Sequence, residues 1–354
     1  MTTPINTGII GFGASGRYFH APFIHAHPGF NLHTIVERTR NEARSVYPEI
    51  VSVTEADALF TNPEIELIII TTPNDTHFEL AYAALQAGKH VVVEKPFTAS
   101  TFEASELIRV GRLNHKLVTI YQSRRFESDY LTVKEVIKSG RVGEVIEFES
   151  FFDRFRPNPN PKTWKETPTP GTGLLYDLGS HLIDQALDLF GHPLSVTADI
   201  RAFREFSQVD DYFTIRLDYG SHIVSLKASC YVLAEGPRYK IHGRKGSFIK
   251  YGVDDQEELL KQGHTPDEAG WGSESAANWG SLFTMQDGKM QEEVIPSEHG
   301  TYMNFYTNVY DAIRNNGELI IKPEQVYYVI RVIELALESS LHKRSIPFSC
   351  PHSF

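Results

Sequence analysis

The chain has 354 residues, more than one hydrophobic core usually organises, so the sequence predicts two domains. Hydrophobic residues make up 41% and charged residues 22%, a balance typical of globular proteins, and no apolar run is long enough to cross a bilayer, which argues against a membrane protein. The formal net charge of −11 argues against a nucleic-acid partner, because that binding depends on Lys and Arg neutralising phosphates.

The two cysteines, Cys230 and Cys350, stand far apart, and neither has a neighbour at the spacing of a zinc or redox motif. Residues 1–6 contain no basic stretch followed by an apolar core, so we expect no secretion signal. These features favour a protein of the reducing cytoplasm.

The first 122 residues alternate short β-branched runs with helical patterns, which is typical of βαβ units and a parallel sheet. The predicted strands are Thr7–Ile10, Leu32–Val36, Leu67–Thr71, Val91–Val93 and Leu117–Tyr121. Residues 1–122 are thus predicted to form a doubly wound α/β domain of the Rossmann type.

Two helices are expected within this domain from their capping residues. One begins at Asn74 or Asp75 and ends at Gly88, and the next begins at Thr98 or Ser100. The apolar residues of the second helix that should face the sheet are Phe102, Leu107, Ile108 and Leu113.

After Tyr121 the pattern changes, because strand-like runs follow one another closely, as in an antiparallel or mixed sheet. The predicted strands of this region are Val145–Phe152, Tyr212–Leu217, His222–Ala228 and Tyr239–His242. The predicted helices are Tyr130–Ser139, Tyr302–Arg314 and Pro323–His342, and extended loops are expected at Arg156–Pro161 and from about Gly263 to Gly280. Residues 123–354 are predicted to form the second domain.

A glycine pattern follows the first predicted strand directly and leads into a predicted helix. It consists of Gly11, Phe12, Gly13, Ala14, Ser15 and Gly16. Gly11 permits a tight turn, Gly13 lets the backbone approach a pyrophosphate, and Gly16 allows close packing of helix against strand. A glycine turn without a ligand is the alternative, but the flanking strand and helix favour a dinucleotide site.

Glu37 ends the second predicted strand, 21 residues after Gly16, near the position of an acid that binds ribose hydroxyls. An acid there favours NAD, since it repels the 2′-phosphate of NADP, whereas the guanidinium of Arg38 can accept that phosphate. The sequence therefore favours NAD and leaves NADP open. A solvated loop is the alternative for this pair.

Polar residues follow three further strands of the predicted sheet. Thr71, Thr72, Pro73 and Asn74 end the third strand, where they either face a cofactor or form a turn that caps the following helix. We also expect cofactor contacts from His77, Glu94, Lys95 and Gln122.

A second polar group lies between Gly171 and Asp184, where Asp177 and His181 are four residues apart and so lie on one face of a helix. Lys95 precedes Pro96 at the end of a predicted strand. Each of these residues taken alone is commonly a solvated or structural group. A metal bound by Asp177 and His181 lacks a third ligand nearby, so we expect no metal.

With these motifs the sequence resembles the Gfo/Idh/MocA oxidoreductase family, over essentially the whole chain. The resemblance rests on the glycine turn, on Glu94-Lys95-Pro96 and on the glycine-rich stretch that leads to Asp177, His181 and Asp184. It is greatest to the branch that contains scyllo-inositol dehydrogenases. Family members often have Asn where Ser123 stands and Arg where Lys165 stands.

The resemblance implies a Rossmann domain followed by an α+β domain with a large open, mostly antiparallel sheet that usually forms a dimer or tetramer interface. It implies that Lys95, Asp177 and His181 are catalytic, with Asp184 nearby as a substrate or supporting contact. We also expect substrate contacts from Arg125 and Trp164.

The chemistry of these residue types suits an enzyme that transfers hydride between a nicotinamide cofactor, NAD or NADP, and a secondary alcohol or ketone of a cyclic polyol or sugar. Histidine is a suitable base for the hydroxyl proton, lysine can stabilise charge on the same oxygen, and the cofactor takes the hydride. The alternatives are an NAD-dependent glycoside hydrolase on the same fold, a reductase of a non-sugar carbonyl, and a non-catalytic dinucleotide sensor.

Overall fold

The computed structural model describes residues 3–39, 41–159 and 163–349, with only the backbone described at 163 and 164. The chain forms two compact units, and neither is one continuous stretch of sequence. The first unit consists of Met1–Phe126, Asp255–Trp271 and Thr301–Tyr327. The second unit consists of Glu127–Asp254, Gly272–Gly300 and Tyr328–Phe354. The first unit therefore includes two segments from late in the chain.

The sheet of the first unit has six parallel strands in the order β3-β2-β1-β4-β5-β6. The strands are β1 (Ile5–Ile10), β2 (Phe30–Val36), β3 (Val51–Val53), β4 (Leu67–Ile70), β5 (His90–Val93) and β6 (Val118–Ile120). This order is that of a doubly wound Rossmann fold, so the predicted fold class is confirmed. Every residue of β4 is buried, as expected for a central parallel strand with no solvent face.

The sheet of the second unit has nine strands among the described residues, in the order β14-β13-β12-β11-β7-β10-β9-β8-β15. The strands are β7 (Val145–Phe151), β8 (Ser195–Arg201), β9 (Tyr212–Asp218), β10 (Ile223–Ser229), β11 (Tyr239–Gly243), β12 (Gly246–Lys250), β13 (Gly280–Gln286), β14 (Lys289–Ile295) and β15 (Ile346–Pro347). Only β7 and β10 pair in parallel, so the expected open, mostly antiparallel sheet is confirmed.

Ten α-helices accompany these sheets in the described ranges. They are α1 (Ala21–Ala26), α2 (Ala43–Val46), α3 (Asp57–Phe60), α4 (His77–Gln86), α5 (Thr101–Leu113), α6 (Ser128–Lys138), α7 (Ser180–Phe190), α8 (Gln256–Gln262), α9 (Met303–Arg314) and α10 (Pro323–His342). Two π-helical turns, Gly16–His20 and Leu175–Gly179, lead directly into α1 and α7. None of the described helices has the length and apolar character needed to cross a bilayer.

One predicted helix face was wrong in part. Ser100 caps α5 as expected, since its side chain accepts a hydrogen bond from the Glu103 amide. Leu107 is buried, but Phe102 and Leu113 are 71% and 64% exposed. Ile108 is buried as predicted, and the buried face also includes Ala104, Val110 and Gly111. Small residues let α5 lie close to its neighbours, and the two large apolar ends project into solvent.

Candidate functional site

The carboxyl edge of the first sheet collects the polar residues of the first unit. Strands β1 and β4 are neighbours even though β2 and β3 come between them in sequence, which makes this the point where the strand order reverses. Doubly wound sheets bind ligands at such a point. The glycine turn follows β1, Thr71 follows β4 and Glu94 follows β5, so the topology brings these motifs to one edge.

The three glycines of the turn differ in their backbone conformation and in the space around them. Gly11 has a φ of 103°, which side-chain-bearing residues rarely adopt. A Cβ at Gly16 would overlap the Gly11 carbonyl oxygen, whereas a Cβ at Gly13 would meet nothing within 4 Å. Helical backbone begins at the next residue, Ala14, so the open space beside Gly13 lies at a helix start. This cradle fits the pyrophosphate of a dinucleotide.

Thr71 and His77 hold the adjoining loops in place. The Thr71 hydroxyl donates to the Gly11 carbonyl oxygen at 2.8 Å and so ties the end of β4 to the glycine turn. The imidazole of His77 is fully buried, 2.9 Å from the Pro96 carbonyl oxygen and 3.0 Å from that of Thr72. Burial lowers the pKa of His77, against the opposite effect of these carbonyls, so the neutral ring donates to one of them. Whether His77 also contacts a cofactor stays a prediction.

Glu37 is engaged by the protein itself. Its side chain is buried, and its two carboxylate oxygens accept the backbone amides of Glu42 and Ala43, both at 3.0 Å. These bonds stabilise the beginning of α2, where a carboxylate is favoured by the helix dipole. The neighbouring Arg38 is exposed. The acid therefore has a structural role that its sequence position did not reveal.

Gln122 and Arg125 follow β6. Gln122 is 1% exposed, and no other described residue forms a hydrogen bond with its side-chain amide. Unpaired buried amides are uncommon and require an explanation such as a water or a ligand. Arg125 is buried too, and its guanidinium donates to the Gln325 side chain at 3.3 Å.

Glu94 joins the glycine turn to Lys95. Its carboxylate accepts a short hydrogen bond from the Ser15 hydroxyl, and its other oxygen accepts the Lys95 backbone amide at 2.9 Å. The Lys95–Pro96 bond is cis. Lys95 itself is half-buried at the carboxyl end of β5.

In the second unit, Asp177 lies in the π-helical turn Leu175–Gly179, and His181 is the second residue of α7. Two cations approach the Asp177 carboxylate: Lys165 Nζ at 3.6 Å and Arg154 Nη2 at 3.8 Å. His181 is 5% exposed, and Asp184 is buried. The side chain of Trp164 lies outside the described residues.

Asp210 forms hydrogen bonds with the backbone at the start of this turn. Its backbone carbonyl accepts the Leu174 amide at 2.9 Å, and its carboxylate accepts the Leu175 amide at 2.6 Å. Gly173 has a φ of 97°, and a Cβ there would overlap the Asp210 carboxylate. Burial raises the pKa of Asp210 to about 6.

Sequence reasoning missed Asp210, Arg154, and the buried pair His20 and Tyr306. Arg154 belongs to an alternating aromatic and basic run that resembles a strand in sequence, although β7 ends at Phe151. His20 stands four residues after Gly16, but its partner Tyr306 is 286 residues away. Such partners become visible only in three dimensions.

Comparison with known proteins agrees with this architecture. The model "Oxidoreductase family, NAD-binding Rossmann fold" of the Gfo/Idh/MocA family matches residues 5–122, and the model of its C-terminal alpha/beta domain matches residues 134–348. The chain belongs to the Gfo/Idh/MocA oxidoreductase family. The family resemblance inferred from the motifs is thereby confirmed.

Two full-length relatives and one solved structure of this family are similar over nearly all of the chain. The scyllo-inositol 2-dehydrogenase (NADP(+)) IolW of Bacillus subtilis is 40% identical, with 97% of this chain and 95% of that protein covered. The uncharacterized oxidoreductase YdgJ of Escherichia coli is also 40% identical, with 98% and 99% covered. The structure of the putative oxidoreductase yvaA from Bacillus subtilis has a TM-score of 0.95 at 39% identity, with 98% and 99% covered. This Gfo/Idh/MocA member is thus an oxidoreductase with a nicotinamide-dinucleotide-binding domain.

Proposed function

We propose that the protein is a dehydrogenase that uses NADP(H) or NAD(H) to interconvert a secondary alcohol and a ketone on a cyclic polyol or sugar, with a scyllo-inositol-like ring as the best candidate. The observation that supports the proposal is the link from the glycine turn through Glu94 to the backbone of Lys95, which connects this lysine to the dinucleotide cradle. The substrate class is supported by the name of the Bacillus subtilis relative. We also propose a cytoplasmic homodimer or homotetramer.

The proposed roles follow from the charges of the residues. When bound, the dinucleotide supplies the hydride acceptor or donor. His181 removes the hydroxyl proton, and the ammonium of Lys95 stabilises the negative charge that develops on the same oxygen. Asp177, held between Arg154 and Lys165, orients the imidazole or accepts a neighbouring hydroxyl, and Asp184 supports that contact.

The first experiment is a turnover assay. Absorbance of the reduced nicotinamide is followed while inositols, aldoses and their ketones are supplied with NAD(H) and NADP(H) in parallel. Cofactor-dependent turnover of a ring polyol or its ketone supports the proposal. Tightly held dinucleotide that is never released during glycoside cleavage favours the hydrolase, and binding without any turnover favours the sensor.

The role of His181 is tested by substitution. His181→Ala should reduce turnover by about two to four orders of magnitude, because it removes the base, and should leave the dinucleotide Kd unchanged. His222→Ala is the matched control, since His222 is a partly buried histidine directly before β10 in the same unit. Turnover by His181→Ala at the level of the control would remove His181 from the mechanism.

We further propose that NADP(H) is preferred, although an acid at the end of β2 by itself favours NAD. Support comes from the engagement of the Glu37 carboxylate by two backbone amides, from the exposure of Arg38 and from the NADP(+) in the relative's name. A guanidinium binds a phosphate through charge-assisted hydrogen bonds.

This preference predicts a selective effect of one substitution. Arg38→Ala should raise the Kd for NADPH by about tenfold or more and leave the Kd for NADH nearly unchanged, as measured by fluorescence titration. Arg109→Ala provides the control, because Arg109 is an exposed arginine paired with Glu106 on α5. Equal changes for both dinucleotides would refute the proposed contact.

A further inference from the structure

His20 lies at the end of the π-helical turn that follows the glycine turn, and it is fully buried. Its Nε2 is 2.9 Å from Glu94 Oε1, and its Nδ1 is 2.6 Å from the Tyr306 hydroxyl. Tyr306 comes from α9, one of the late segments that complete the first unit. Both nitrogens of this imidazole are therefore engaged.

The contacts of Glu94 define which atoms donate. Burial raises the pKa of Glu94, but hydrogen bonds from His20 and Ser15, together with the charges of His20 and Lys95, outweigh burial and lower it. An ionised Glu94 only accepts hydrogen bonds, so His20 Nε2 carries the hydrogen that it donates.

Tyr306 supplies the other half of the arrangement. Burial raises the pKa of Tyr306 well above its ordinary value, so the phenol keeps its proton, and its oxygen lies 2.6 Å from His20 Nδ1. The ring of Tyr121 lies 4.4 Å from the imidazole, and the ring of Tyr306 lies 6.2 Å from it. These aromatic rings and the two polar contacts together fix the orientation of His20.

We propose that His20 and Tyr306 are positioning residues of the dinucleotide site, which act through Glu94 on the Ser15 hydroxyl and the Lys95 backbone. Ser15 belongs to the glycine turn, and Lys95 is the proposed electrostatic group, so one carboxylate sets the position of both. The inference rests on the proposed function only in taking a nicotinamide dinucleotide as the ligand.

Three substitutions of His20 separate its two contacts. An amide nitrogen in His20→Gln can reach the position of Nε2 and keep the bond to Glu94, whereas the shorter amide of His20→Asn reaches only the position of Nδ1. His20→Phe retains a ring and removes both bonds. Tyr306→Phe removes the phenol and leaves the ring packing.

Two measurements are made on each variant. Hydrogen exchange of the Lys95 amide in the dinucleotide-free protein reports directly on the Glu94 contact, and fluorescence titration gives the Kd for NADPH and NADH. We expect His20→Phe and His20→Asn to raise both Kd values by about tenfold or more and to speed exchange, with His20→Gln near wild type and Tyr306→Phe between them.

Phe23→Leu is the packing control, because Phe23 stacks on Tyr306 at 5.9 Å without contacting Glu94 through a hydrogen bond. It should lower the melting temperature and leave Kd and Lys95 exchange unchanged. Unchanged binding and exchange in His20→Phe, or equal losses in His20→Gln and in Phe23→Leu, would overturn the positioning role. If wild type binds no dinucleotide, the proposed function fails, and exchange at Lys95 alone decides the role of His20.

Discussion

Asp210 is a partly buried carboxylic acid beside the turn that carries Asp177. Burial is the main cause of its raised pKa, and the charge of Asp211 acts in the same direction, while the amides of Leu174 and Leu175 oppose them. The folded protein thus binds a proton at Asp210 more tightly than the unfolded chain does. Ionising this acid near neutral pH costs stability, even though the carboxylate supports the turn that carries Asp177.

This raised pKa predicts how stability changes with pH. The pKa of Asp210 is about 6 in the folded protein and ordinarily 3.8. The stability that protonated Asp210 contributes to the folded state is therefore fully present below pH 3.8 and is lost as the pH rises to about 6. Asp210→Asn keeps an oxygen for the Leu175 amide and cannot ionise. Thermal unfolding is measured from pH 4 to 8. Relative to wild type, the free energy of unfolding of the variant should rise by on the order of 2 kcal/mol between pH 4 and 7. A difference independent of pH would contradict the assignment.

How well the role of a candidate-site residue could be predicted depends on how far away its contact partners are in the sequence. The roles of Gly11 and Gly16 were predictable because a turn and a helix contact are local, and their φ angle and close contacts have the expected character. The sequence predicted that Glu37 ends the second strand, but not that its carboxylate accepts backbone amides at the start of α2. His20 and Asp210 depend on partners brought close only by folding, so a single sequence carried no sign of their function.

At the scale of one element, Gly173 controls the entry to the turn that bears Asp177. Gly173→Ala should destabilise the second unit by more than about 2 kcal/mol, because the new methyl group needs a strained backbone and overlaps Asp210. Gly140→Ala is the matched control, since Gly140 has a φ of 68° and open space around its would-be Cβ. That variant should lose only about 1 kcal/mol.

Thermal unfolding and substrate kinetics of both variants check this prediction. We expect Gly173→Ala to lose turnover while its dinucleotide Kd is retained, and Gly140→Ala to remain active. Equal stability losses would mean that the backbone conformation alone, and not the contact with Asp210, makes glycine necessary at position 173.

Element prediction succeeded where the apolar pattern was strong and uninterrupted. Helix α10 has the predicted bounds, and β1, β2, β4, β5 and β6 were all anticipated to within a few residues. Strand β3 was missed because its three residues are only partly buried and show no apolar run. Strand β14, with six of its seven residues exposed, gave no alternation at all. These patterns reflect which residues are buried, and burial depends on neighbouring elements that the local sequence does not identify.

At the scale of the whole molecule, the first unit includes segments from late in the chain, and one of them packs on its early residues. Tyr306 packs on Phe23 and Phe30, with ring centres 5.9 and 6.1 Å away, so a fragment ending at residue 122 lacks part of its own core. We expect that fragment to lose cooperative thermal unfolding by circular dichroism. Joining residues 301–327 to residues 1–126 through a flexible linker should restore part of the cooperativity.

The opposite result is equally informative. A fragment of residues 1–122 that unfolds cooperatively near the melting temperature of the full chain would mean that α9 adds little to the first unit. It would also mean that the contact between His20 and Tyr306 adds little to the stability of the first unit, since α9 supplies Tyr306.

The distance in sequence between His20 and Tyr306 also sets a delay during synthesis. The two residues are 286 positions apart, and at about 5–20 residues per second a ribosome needs roughly 15–60 s to add that length of chain. For that interval the apolar face of the nascent first unit that α9 later covers is open to water and to chaperones. Synthesis of the dinucleotide-binding unit therefore begins well before its last segment, Thr301–Tyr327, is available.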